Sequence, residues 1–178
     1  MRFPPVEVSS ASPRQRAVAE KIAARSGQAV SGHHLVLLHA PEIADRVYML
    51  EEHLRTGLQI PERLRALTIL MAAARYRASD TAHFMEAESI RQSGLAQSTM
   101  DAIASGTTPT AWREDERLVH AFCSDLSALG RVRNSTFDSA CAVLGRVVCL
   151  EIVKVYGYAR YLTMLLNITQ TRLADTGC

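Results

Sequence analysis

Four side chains able to do chemistry lie close together between positions 76 and 86: Tyr76, Asp80, His83 and Glu86. Asp80, His83 and Glu86 follow one another at intervals of three, so on a helix neighbouring members of the set meet along one flank. Tyr76 precedes His83 by seven residues and joins that side if the helix is continuous. An imidazole beside a carboxylate is a proton-transfer unit, because the carboxylate sets the tautomer and the pKa of the ring. The same spacing also describes a solvated polar flank with one weak ion pair. Asp80-x-x-His83 is half of a carboxylate-bridged metal motif, but such sites need a second pair of the same kind. Glu116 and His120 are four apart and do not supply it, so no metal centre is expected.

The remaining histidines read differently. His33, His34 and His39 sit in a connector, Val30–Ala40. His39 either contacts substrate from a pocket wall or makes a capping or core hydrogen bond. His53 follows two glutamates on a helix and belongs to the surface, whereas His120 falls among Leu118, Val119 and Phe122 and suits a core or an interface. Tyr156, Tyr158 and Tyr161 are spaced as core or subunit contacts, with one phenol able to face a ligand. The four cysteines, Cys123, Cys141, Cys149 and Cys178, form no CxxC pair and, Cys178 apart, read as small core residues. No glycine-rich phosphate loop, HExxH or GxSxG is present, and no cofactor is expected.

The elements that must hold these groups are helices. Ser12 and Pro13 read as the N-cap and first residue of a helix that Gly27 ends, with Val18 and Ile22 on its buried face. Residues 1–11 form an extended arm, and residues 12–178 form one helical domain. Pro41 opens a second helix, in which Ile43, Val47, Leu50 and Leu54 keep helical period and Gly57 is the stop. Pro61 opens a segment apolar over most of its circumference, which must lie deep in the core. The pattern turns polar at Arg75–Ser79, so a break is expected there, followed by a helix over about 79–93. A short helix at 98–104 and an amphipathic one at 112–129 come next. Ser135 then caps a helix with Phe137, Ala140, Val143 and Leu144 inward, Gly145 breaks or bends the chain, and a long apolar helix closes it. Nothing alternates at period two, so the fold class is all-α, with seven or eight helices.

The chain has 178 residues and a net charge of +2, too small to argue for nucleic acid as a partner. The opening MRFPPVEVSS has no apolar signal core, and no run approaches the roughly 20 apolar residues of a membrane span. Glu151 and Lys154 interrupt the greasiest run, which makes it a buried helix. A cytoplasmic location, without a membrane partner, is the expectation.

The order of features carries a resemblance. VLLHAPEIADRV, LQIPERLRALTILMAAARY, a polar segment with a histidine, SGL with a short helix, EDERLVHAFCSDL and VVCLEIVKVYGYARYLTMLLN follow one another over about residues 30–168. This resembles the carboxymuconolactone decarboxylase family, which shares the alkylhydroperoxidase D-like fold. The resemblance implies an all-helical chain, assembly as a homotrimer or homohexamer, and an active site near a subunit interface against the paired central helices. Peroxidase members carry CxxCxxxH there. Anchored on His83, that pattern falls on Tyr76 and Ser79; anchored on Gly94, it falls on Ala82 and Glu86. The family's acidic residue on the first central helix is replaced by Leu64, Ala66 or Leu67, with Glu62 the nearest carboxylate. A thiol peroxidase needs a reactive cysteine, and none precedes Cys123. The resemblance therefore implies a divergent, decarboxylase-type member acting on a small carboxylate, lactone or related cyclic compound. His83 would be the proton donor or acceptor, Glu86 or Asp80 its partner, and Tyr76 and His39 substrate contacts. A family member that has lost catalysis and serves as a binding or oligomeric scaffold, or a repurposed isomerase or lyase, is the alternative.

Overall fold

The computed structural model describes residues 2–74 and 87–169, and every regular element among them is helical, as expected. A short turn of 3-10 helix at Val8–Ser10 precedes α1 (Pro13–Ser26), α2 (His33–Leu37), α3 (Pro41–Thr56) and α4 (Glu62–Ala74). Then come α5 (Ala87–Gln92), α6 (Gln97–Ala104), α7 (Glu114–Leu129), α8 (Asn134–Leu144) and α9 (Arg146–Thr169). Tyr76, Asp80, His83, Glu86, the expected helix break and Cys178 lie outside the described residues. The described residues up to Gly57 and from Met164 form one compact unit, and Leu58–Thr163 form another.

In the first unit, α1 begins where its sequence requires. Ser12 Oγ accepts the Gln15 N–H at 3.4 Å, and Gln15 Oε1 accepts the Ser12 N–H at 2.9 Å, so two orphan donors are satisfied reciprocally. Ala19 and Ile22 bury the inner face of α1, which packs against α3. Lys21 reaches Asp45 at 2.6 Å, and Arg25 pairs with Glu52, along the outer seam. The buried face of α3 differs from the expected one. Ala44, Tyr48 and Leu54 are inside, while Ile43 and Leu50 are 49% and 45% exposed. Apolar residues surround much of α3, so period alone does not choose the face; the small Ala44 and the amphipathic Tyr48 fit the close approach of neighbouring helices. The N-terminal arm is held by backbone hydrogen bonds from Val6 N–H to the Leu35 carbonyl and from Arg2 N–H to the Thr169 carbonyl, both 3.0 Å.

In the second unit, α4 packs on α7 and α6, and α7 packs on α8. Leu64, Leu67 and Ile69 of α4, Val119 and Phe122 of α7, and Ile152 and Leu162 of α9 are no more than 1% exposed. Thr68 is buried among them and donates its hydroxyl to the Leu64 carbonyl at 2.8 Å, which removes the cost of an unpaired polar group. Cys123 is fully enclosed, and burial pushes its thiol up to about 12, so it is a packing residue.

Two buried carboxylates organise helix starts in this unit. Glu151 is only 5% exposed, and its carboxylate accepts the N–H groups of Ile60 at 2.7 Å and Gln59 at 3.0 Å, just before α4. Asp125 accepts the Arg133 N–H at 3.1 Å and the Arg133 guanidinium at 2.7 Å. This corrects the expected Ser135 cap: α8 already begins at Asn134, and Asp125 from α7 serves the end that Ser135 was to serve. Val143, expected inside, is 50% exposed. Gly145, at φ 84°, separates α8 from α9 in a conformation that L side chains resist.

Replacing Glu151 with Ala strands the buried Ile60 N–H and frees the part-buried Gln59 N–H, and should cost about 1–3 kcal/mol in urea unfolding, through loss of charge-assisted hydrogen bonds. The Arg133 guanidinium beside Asp125 holds its carboxyl down at about 2, below the ordinary 3.8. Its contribution to stability is present above pH 3.8 and is lost as pH falls through about 2. Thermal unfolding across that range should show an acid limb that Asp125→Asn flattens.

Candidate functional site

The first unit brings together three side chains that the sequence keeps apart. Gly32 has φ 59°, a left-handed conformation that turns the chain so that the first two residues of α2, His33 and His34, point inward. They are 5% and 9% exposed. On α3, Tyr48 and Glu51 are three apart and therefore share a face, the one turned towards α2. Both histidines converge on one carboxylate oxygen: His33 Nε2 lies 3.2 Å and His34 Nε2 3.0 Å from Glu51 Oε2. The imidazole rings meet edge to face, with centroids 4.0 Å apart and planes at 76°. Tyr48 also meets His34 edge to face, with centroids 5.4 Å apart.

Burial holds the His34 ring at about 4, below the ordinary 6.5, and the neighbouring His33 reinforces this while Glu51 opposes it. His34 is thus neutral near pH 7. His34 Nδ1 and the Tyr48 hydroxyl are both buried and have no hydrogen-bond partner among the described residues. The arrangement can exchange a proton between imidazole and carboxylate, or offer two imidazole nitrogens and a carboxylate oxygen to a cation. These ligand atoms all lie within 4.8 Å of one another, and among the described residues no other such trio of His, Cys, Asp or Glu exists.

Of the residues expected to form a site, His39 alone is described. It is exposed, its Nε2 is 2.8 Å from the Pro4 carbonyl, and its ring meets Phe3 edge-on at 5.9 Å. It fastens the N-terminal arm. His53 is exposed, and His120 is half-buried against Trp112 at 4.9 Å. Leu64, Ala66 and Leu67 are core residues, and the nearby Glu62 pairs with Arg65. Arg63 instead crosses to α7, 2.7 Å from Asp115 and 2.6 Å from Glu116, and lowers the carboxyl pKa of Asp115.

The sequence reading leaves His33 and His34 in a connector and does not bring Glu51 into a site. The alternative stripe Ala44, Tyr48, Glu51 and Leu54, at intervals of four, three and three, is the signal that could have found it.

Comparison with solved structures shows the fold at nearly full length. The chain aligns with the C82A form of the debrominase Bmp8 in complex with 2,3,4-tribromopyrrole at a TM-score of 0.71 and 16% identity. The alignment covers 97% of this chain and 91% of that one. The apo form of Bmp8 aligns at 0.70 and 17% identity, over 96% and 91%. At such identities the likeness is one of fold. The sequence matches no family model, and no curated protein matches it.

The Tyr48 hydroxyl, without a hydrogen-bond partner among the described residues, costs desolvation that no bond there compensates. Tyr48→Phe should therefore leave stability unchanged or raise it by about 1 kcal/mol in urea unfolding. A loss of that size would show instead that the hydroxyl is bonded.

Proposed function

We propose that the chain is a small-molecule enzyme of the carboxymuconolactone decarboxylase type, working by acid/base chemistry on a small carboxylate, lactone or related cyclic compound. The observation that carries this reading is the nearly full-length likeness of fold to Bmp8, a debrominase captured with a small cyclic compound. The ordered sequence features over residues 30–168 support the finer, decarboxylase-type reading. The absence of cysteine before Cys123 turns it away from thiol chemistry at the central helices.

Decarboxylation requires the carboxylate to be held while the C–C bond breaks. The electron pair passes into the adjoining unsaturated system, and an acid then protonates the carbon. His83 is the proposed acid, with Asp80 or Glu86 setting its tautomer and Tyr76 contacting the substrate. No cofactor is needed for these steps. Self-association as a homotrimer or homohexamer belongs to the same reading. The exposure of Val147 and Leu150 on α9, 51% and 57%, is compatible with a subunit contact in the second unit.

A panel of small unsaturated lactone acids, followed by carbon dioxide release, tests the activity. For an accepted substrate, His83→Ala should lower kcat at least about 100-fold while binding persists, the effect of losing a general acid. Unchanged turnover would remove His83 from the mechanism. Light scattering of the intact chain at micromolar concentration should give a trimer or hexamer, and a monomer would count against the assembly.

A further inference from the structure

We propose that His33, His34 and Glu51 bind one zinc-class divalent ion. The argument begins with donor chemistry. Two imidazole nitrogens and one carboxylate oxygen are borderline and hard donors of the kind that Zn²⁺ and its first-row neighbours take. The histidines are 5% and 9% exposed, and the Glu51 side chain is 27% exposed, so the site is largely walled yet reachable.

Geometry comes next. An ion with bonds of about 2.0–2.2 Å to tetrahedral ligands sets those ligands about 3.3–3.5 Å apart. The two nitrogen–oxygen edges here are 3.2 and 3.0 Å, and no ligand pair exceeds 4.8 Å. Closing the widest pair takes a movement of about 1 Å, within reach of side-chain rotation. The edge-to-face packing of the rings, at 76°, keeps both imidazole edges turned to the same carboxylate without stacking them out of reach. Tyr48 packs edge to face on His34 as well.

Three protein ligands leave a tetrahedral ion one open position, the donor count of sites that bind a water or an anionic oxygen rather than of closed structural sites. The ion would also join the start of α2 to the third turn of α3 and so stabilise the first unit. This inference stands apart from the proposed reaction, because its test needs no substrate.

The test uses the full chain freed of metal by a chelator and titrated with Zn²⁺ by calorimetry. One ion should bind per chain, with a raised Tm, and His33→Gln and Glu51→Gln should each weaken binding at least about tenfold. His53→Ala, on the exposed face of α3, should bind as the unaltered chain does. Absence of one-to-one binding would overturn the proposal, as would affinity unchanged in both ligand variants or lost equally in His53→Ala. Should a ligand variant fail to fold, imidazole ¹H–¹⁵N spectra of the unaltered chain decide the matter. Saturating Zn²⁺ must then shift the signals of two of the six histidines from their free-ring positions, and six unmoved rings would refute the site.

Discussion

Helix starts present backbone N–H groups that cannot be enclosed without an acceptor, and the second unit answers that demand with buried carboxylates. Glu151 of α9 takes the N–H groups leading into α4, and Asp125 of α7 takes the one leading into α8. Glu116, 5% exposed, takes the Arg113 N–H at 3.0 Å before its own helix and meets Arg63 of α4 on its other oxygen. Glu151 and the Glu116–Arg63 pair join elements that are distant in sequence, so burial of α4 against α7 and the satisfaction of neighbouring helix ends are one arrangement rather than several. A charge buried this way is costly to leave unpaired.

The first unit solves a different problem. Its helices are more polar, and its arm and connector hold the chain by backbone hydrogen bonds and by His39 on the Pro4 carbonyl. Within it, three titratable groups are drawn together where an apolar cluster would have been simpler. His34 is kept neutral by its surroundings, with one ring nitrogen and the Tyr48 hydroxyl unsatisfied among the described residues. Buried polar groups retained without full satisfaction recur at functional positions.

Much of the fold is legible in the sequence. The N-cap at Ser12, the prolines at Pro13 and Pro41, and the glycines after α1 and α7 mark helix ends within a residue or two, because those signals are local. The all-round apolarity of α4 announces its burial. Side-chain direction is less legible. Ile43, Leu50 and Val143 fall on stripes that read inward and yet lie outward, since a periodic apolar stripe identifies a face but not the neighbour that will cover it. Ser135 has the residue type of a cap, but the acceptor in use is Asp125, eight residues before Arg133. It reaches Arg133 only after α7 and α8 fold back on each other, which no local motif announces.

By itself, the sequence determined that the chain is helical, where most of its helices begin and end, and that thiol chemistry is absent from its first 122 residues, because each of these depends on residue types at short range. It also assembled Tyr76, Asp80, His83 and Glu86 as a candidate set, since helical spacing is a local property. The convergence of His33 and His34 on Glu51 was decided only by tertiary structure. The left-handed turn at Gly32 and the packing of α2 on α3 bring His33 and Glu51, 18 apart in sequence, to within hydrogen-bonding distance, and no local pattern encodes that approach.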